Sequence, residues 1–331
     1  MNAVLFVGHG SREEGGNEEV RQFVSEIASK MNEQIVETCF LEFVQPTIMQ
    51  GIDRCVELRA THIVVIPIIL FAAGHAKIHI PSAIDDAKIK YPLVKFTYGR
   101  PIGVHEQILG ILSSRVEDLG VQVKEDLGET ALLIVGRGSS DADANSDLFK
   151  ISRLFWEKLQ VKWVETAFIG VTAPLMDAGI ERCLLLGAKN VIILPYFLFT
   201  GVLIGRMEQM VQGYRETYPD KQFQMAPYFG FHPLLQEILI GRAQEALQDE
   251  VKMNCDMCQY RLEAMKHIDH HHHHDHDDHH HHDHDHHDHE HKHDHDHHDH
   301  DHEHKHDHDR HDHDHKHDHE HDHAHSRGDK R

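Results

Sequence analysis

The chain has 331 residues and a formal net charge of −22 with histidine neutral, and both its composition and its charge divide near residue 270. The last 62 residues, from His270 on, hold 32 of the 39 histidines with 17 Asp, three Glu and seven Lys or Arg. So few apolar side chains cannot offset the entropy of ordering a backbone, and disorder is the expectation there. That segment carries 7 − 20 = −13 and leaves −9 to the body, an acidic surface with no basic stripe for phosphates, which argues against nucleic acid as a partner.

No apolar run reaches the roughly 18 residues of a membrane span, and the N-terminus lacks a basic-then-apolar leader pattern. The expectation is a cytoplasmic protein with no membrane partner. Five cysteines, Cys39, Cys55, Cys183, Cys255 and Cys258, are an odd number spread over a long chain, which argues against a disulfide framework.

In chain order, strand-like apolar runs fall at residues 3–7, 34–43, 62–70 and 94–98, with amphipathic stretches of about 15 to 20 residues between them. Continuous runs such as HIVVIPIIL suit strands buried on both faces. Such strands imply a parallel sheet with right-handed crossovers and ligands at the strands' carboxyl ends.

The pattern then repeats. An offset of 128 residues brings Val36-Glu37-Thr38 onto Val164-Glu165-Thr166, Pro46 onto Pro174, Gly51-Ile52-Asp53-Arg54-Cys55 onto Gly179-Ile180-Glu181-Arg182-Cys183, and Pro67 onto Pro195. One small shift further on aligns Gly103-Val104-His105 with Gly230-Phe231-His232. The expected fold class is α/β: two duplicated flavodoxin- or Rossmann-like lobes, each a parallel sheet of about four strands flanked by helices, facing across a cleft. The expected division is residues 1–125, 126–250, a linker at 251–269 and the histidine-rich tail at 270–331.

The first turn reads VGHGSREEGG at residues 7–16. It lacks the G-x-G-x-x-G spacing of a dinucleotide fingerprint, so the histidine between two glycines is the feature to explain. The duplication acts as an internal control, because residues that the fold itself demands should stand in both copies. His9 instead aligns with Arg137, Glu42 with Gly170 and His75 with Leu203. Each of the three sits at or just past the end of a different predicted strand.

A histidine in a glycine loop is often only a polar turn residue, and a lone glutamate at a strand end is usually solvated or capping. Joint presence in one half and joint absence from the other favours a shared site. Two imidazoles and a carboxylate suit a borderline divalent transition metal with coordination positions left open for chemistry. His79 is a weaker fourth candidate that lies at the start of the following helix. His105 and His232 occupy equivalent places, which favours a structural role; His62 merely begins a strand.

GHGSR at 8–12, Phe40-Leu41-Glu42 and FAAGHAKIHIP at 71–81 closely resemble the class II tetrapyrrole chelatases, and within them the long, histidine-tailed CbiX type, over about residues 1–240. The resemblance implies insertion of Co2+ into sirohydrochlorin without ATP, with His9, Glu42 and His75 as metal ligands and His9 and His75 as the catalytic histidines. It also explains the asymmetry: short relatives dimerise to build the two-lobed cleft, whereas fusion leaves the second lobe free to lose its ligands. Ser11, Arg12, His79, Arg137 and Arg206 are the candidates to meet the substrate, the guanidinium groups pairing with its carboxylates.

The tail, alternating His with Asp, suits cobalt, nickel or zinc with little geometric selectivity, and storage or delivery of metal is its expected role. Met253-Asn254-Cys255-Asp256-Met257-Cys258 forms an M-x-C-x-x-C, by itself compatible with redox, zinc or cluster ligation, and the same resemblance associates it with a 4Fe-4S cluster. Two thiolates are fewer than the usual four ligands, so a homo-oligomer sharing the cluster is one expectation. Iron or nickel in place of cobalt remains open on ligand type alone, as does a metallochaperone of a different class. Phosphoryl chemistry at the GHG loop is disfavoured, since Gly8 stands where a histidine phosphatase requires arginine.

Overall fold

The computed structural model describes residues 1–121, 128–159 and 161–249; the Cys255–Cys258 motif and the histidine-rich tail lie outside the described residues. The body is one unit built twice. The first copy runs β1 (Asn2–Gly8), α1 (Glu14–Ala28), β2 (Ile35–Phe40), α2 (Ile48–Glu57), β3 (His62–Pro67), a π-turn (His75–His79), α3 (Ile80–Lys90), β4 (Lys95–Tyr98) and α4 (Glu106–Glu117). The second runs β5 (Thr130–Gly136), α5 (Ala142–Leu159), β6 (Trp163–Phe168), α6 (Met176–Leu185), β7 (Asn190–Pro195), α7 (Val202–Thr217), β8 (Gln222–Met225) and α8 (Pro233–Leu247).

Both sheets are parallel, in the orders β2-β1-β3-β4 and β6-β5-β7-β8. This order makes the carboxyl ends of the first three strands neighbours, Val7 lying opposite both Cys39 and Pro67. Two strands are shorter than their sequence suggests. The second stops at Phe40 instead of residue 43, because Val44 N–H donates to Glu42 O at 2.7 Å around Phe43, whose φ of 62° cannot continue a strand. The third stops at Pro67 instead of residue 70, where proline has no N–H for the ladder and the neighbouring β1 is ending.

Alternate strand residues face opposite sides of each sheet, and the two sides meet different partners. Leu5, Val7, Ile63 and Val65 pack on Ile52 of α2 and Ile84 of α3; Leu133, Val135 and Ile193 pack on Ile180 of α6 and Met207 of α7. The opposite faces, Val4, Phe6, Val64 and Ile66 in one sheet and Leu132, Ile134, Ile192 and Leu194 in the other, share a single core with α1, α4, α5 and α8. The last helix of each copy crosses over: α4 packs on β7 and α5, and α8 packs on β3 and β4. Burial of one such Phe, Leu or Ile contributes about 1.5–3 kcal/mol, so this common helical layer binds the lobes firmly beneath the strand tips.

The small shift in the repeat has a structural cause. Tyr91 and Tyr218 cap α3 and α7 alike, donating to Ala87 O and Tyr214 O, and they lie 127 residues apart, one fewer than the offset that holds up to Phe71. The first lobe therefore has one extra residue in this helical segment. The backbone takes it up as the π-turn HAKIH, as helices accommodate single insertions. Gly51 and Gly179 recur because their helices press on the sheet: a Cβ would lie 2.8 Å from Leu5 Cδ1 at the first and 2.7 Å from Ala167 Cβ at the second. Cys55 and Cys183 are fully buried, as their repeat equivalence suggests, and burial pushes both thiols up to about 12.

Candidate functional site

The loop after β1 is tied to the loop after β2. Leu41 N–H donates to Gly8 O at 3.0 Å and Glu42 N–H to His9 O at 3.1 Å. Gly10, at φ 86°, completes the approach, for a Cβ there would lie 1.9 Å from Glu42 O. This is why glycine follows the histidine: no other residue lets the two strand tips touch. His9 and Glu42, both half-buried, consequently sit on adjoining loops. The backbone of His75 opens the π-turn beyond the neighbouring strand β3; its side chain is outside the described part of the structure. Among the described residues no three His, Cys, Asp or Glu side chains gather closely enough to hold a metal ion.

The second lobe meets this rim at the repeat-equivalent residue. Arg137 Nη1 donates to His9 Nε2 at 3.2 Å, and the ring's other nitrogen, Nδ1, faces Gly10 O at 3.1 Å. That pairing corresponds to the tautomer protonated on Nδ1. In the second lobe the equivalent of Glu42 is Gly170, and a Cβ there would lie 2.4 Å from Arg137 O. The absence of a carboxylate from this lobe thus reflects a closer backbone approach, which leaves no room for any side chain.

The other candidates divide. Ser11 Oγ accepts the Glu13 N–H at 3.0 Å while Asn17 brackets the Ser11 backbone at 2.8 and 2.9 Å. Ser139 does the same with Asp141 and Asn145, so this arrangement serves the turn into α1 and α5. Arg12 lies 5.0 Å over the ring of the exposed Phe43. His79 ends the π-turn, exposed, and Arg206 is exposed on α7.

His105 and His232 cap helices α4 and α8, each Nδ1 accepting a backbone N–H, from Gln107 and Leu234, at 3.2 Å. Burial, with Arg242 and Arg100 nearby, pushes His105 down to about 4. Burial, with Arg115, lowers His232 also. Both must stay neutral to accept, which is the structural role their equivalence predicts. His62 pairs with Thr97 Oγ1 at 2.9 Å.

Sequence reasoning missed the residues that join the lobes above the shared core. Lys77 reaches Asp141 and Asp143, and Glu19 accepts from Thr200 N–H and Tyr228 Oη. Partners this far apart in the chain leave no local pattern. A surface hollow beside Pro46 is lined by Gln50, Asp53, Arg54 and Glu57. Its charges are taken up in pairs, Arg54 with Glu57 and Asp53 with Lys90. Among the described residues no helix is long and apolar enough to cross a membrane.

Two fused parallel α/β lobes, with candidate ligands at the strand tips of one and an arginine facing them from the other, define a metal-chelatase architecture. The sequence model of CbiX matches the chain twice, at residues 3–119 and 131–246, and the chain belongs to the CbiX family. It is 60% identical over 272 residues to a sirohydrochlorin cobaltochelatase of Priestia megaterium, covering 82% of this chain and 88% of that one. It is 36% identical to a sirohydrochlorin ferrochelatase of the same organism, covering 76% and 92%. Its fold is similar to the sirohydrochlorin chelatase SirB from Bacillus subtilis subspecies spizizenii in complex with cobalt, with a TM-score of 0.65 and 31% identity over 75% of this chain and 96% of that one.

Proposed function

We propose that this chain inserts Co2+ into sirohydrochlorin without ATP, with His9, Glu42 and His75 presenting the metal from the first lobe and Arg137 meeting the ring from the second. The observation that carries this reading is the one-sided rim. Glu42 N–H bonded to His9 O and the Gly10 contact hold an imidazole and a carboxylate on adjoining loops, in the lobe that alone has them. The 60% identical relative named for the cobalt reaction supports cobalt over iron. In this reading, residues up to about 125 form the catalytic lobe and those up to about 250 a degenerate one.

Metal insertion requires stripping water from the ion, removing two pyrrolic protons and bending the macrocycle. Imidazole and carboxylate replace part of the hydration shell, and a neutral imidazole is poised to take up a pyrrolic proton. His9 Nε2 cannot both accept from Arg137 and bind the ion, so occupation of the site releases the guanidinium toward a ring carboxylate. Arg12 and Arg206 are read as partners of further carboxylates, with Ser11 and His79 as weaker contributors. The tail is read as a cobalt store or carrier, and Cys255 with Cys258 as iron–sulfur ligands completed by other groups or a second chain. The tail reading rests on composition and the cluster reading on the family resemblance, and the whole is read as a cytoplasmic enzyme.

His9→Ala and His75→Ala should each abolish cobalt insertion, followed through the visible spectrum of sirohydrochlorin, with circular dichroism unchanged. Activity retained in both refutes the assignment. Running the same assay with Fe2+ or Ni2+ separates the alternative metals, and turnover by any of them removes the metallochaperone reading.

A further inference from the structure

We infer that Lys77 is a positioning residue, the fastener of an ionic clasp that closes one side of the cleft and holds the π-turn carrying His75 against the second lobe. Lys77 Nζ lies 2.7 Å from Asp141 Oδ2 and 3.3 Å from Asp143 Oδ2, carboxylates at the start of α5, 64 and 66 residues away. Tyr98 Oη donates to Ala76 O at 2.9 Å, which ties the π-turn to its own lobe, so the lysine pair joins lobe to lobe.

The repeat shows that this clasp has no twin. Asp141 and Asp143 correspond to Glu13 and Gly15, and Lys77 corresponds to Gly205 or Ile204, depending on which side of the extra residue it is counted. Neither can bear a charge. The opposite side is joined by packing. Glu19 accepts from Thr200 N–H at 2.9 Å and from Tyr228 Oη at 2.7 Å, Thr200 O comes so close to Gly16 that a Cβ would lie 2.9 Å away, and Phe23 meets Phe199 and Phe231 edge to face.

The two sides differ in strength. Lys77, Asp141 and Asp143 are 41%, 25% and 79% exposed, and an ion pair this open to water on the lysine side biases an equilibrium by only a factor of a few. The Glu19 side combines charge-assisted bonds, stronger than neutral ones, with backbone contact and edge-to-face rings. Beneath both, the lobes are fused, Phe71 lying flat on Tyr196 at 5.2 Å. Opening is therefore confined to the strand-tip loops and pivots on the Glu19 side, with Lys77 as the free edge.

Amide hydrogen exchange on the full-length protein, without cobalt or sirohydrochlorin, tests this independently of any chelatase activity. Asp141→Asn keeps the side-chain oxygen that accepts Asp143 N–H but removes the charge. It should raise exchange severalfold in residues 73–80 of the other lobe, leaving 198–201 unchanged. Lys77→Ala should match it, and Lys77→Arg should behave as wild type. Wild type in 1 M NaCl, where the screening length is about 3 Å, should resemble Asp141→Asn. Unchanged exchange at 73–80 in Asp141→Asn, an equal rise at 198–201, or exchange in Lys77→Arg as fast as in Lys77→Ala overturns the proposal.

Discussion

Gly10→Ala isolates the contact that holds the rim together, because the duplication supplies its control in Gly138→Ala. Both glycines sit in the left-handed region, at φ 86° and 84°, so both substitutions incur the same backbone cost of about 1–2 kcal/mol. They differ in what the new methyl meets. At position 138 it lies 2.7 Å from Thr172 Cγ2, the end of a side chain that can turn aside for about 1 kcal/mol. At position 10 it lies 1.9 Å from Glu42 O, a backbone atom that cannot turn. A carbon and a carbonyl oxygen rest at roughly 3.3 Å, so the loops bearing His9 and Glu42 must part by about 1.4 Å. Misplacement by about 1 Å costs a reaction on the order of 100-fold.

Gly138→Ala should therefore lose about 1–3 kcal/mol in urea unfolding, and Gly10→Ala more, because parting the loops also gives up the bond from Glu42 N–H to His9 O. Gly10→Ala alone should lose roughly 100-fold in cobalt insertion. Equal activity losses in the two variants, or full turnover by Gly10→Ala, would show that the contact between the strand tips does not set the metal site.

Acid sensitivity follows from the half-buried histidine caps. His105 has a folded pKa of about 4 against an ordinary 6.5, so between those values the unfolded chain binds a proton that the folded chain refuses. Its contribution is complete above about pH 6.5 and is lost as pH falls toward 4. His105→Asn keeps an acceptor for Gln107 N–H and should flatten the decline in urea midpoint between pH 6.5 and pH 5; an unchanged slope counts against the assignment. Removal of residues 270–331 should spare turnover at saturating cobalt and slow it when cobalt is scarce, and equal rates under both conditions would remove the delivery role.

Much of this architecture is legible in the chain. Apolar runs without alternation announce parallel strands buried on both faces, and the unequal positions His9 and Arg137, Glu42 and Gly170 set one copy apart from the other. Equivalent histidines announce a role in the fold, and both turn out to cap helices. Other features stay hidden for physical reasons. An apolar face on α4 or α8 says that the helix packs but not on which sheet, so the crossover of these helices has no sequence signature. The run from Phe40 to Val44 looks like continued strand, yet Phe43 turns back because the Glu42 carbonyl accepts from Val44. The shift in the repeat reveals an inserted residue without saying that the helix absorbs it as a π-turn. Lys77 and Asp141 become neighbours only once both lobes have folded.

The crowding at Gly170 gives the duplication a direction. Ancestral symmetry cannot be recovered by writing glutamate back into the second copy, since its β-carbon would collide with the Arg137 carbonyl before any carboxylate could reach a metal. The difference between the copies is thus fixed in the main chain and not merely in the choice of side chains. A two-metal version of this molecule would need its β5 and β6 loops rebuilt.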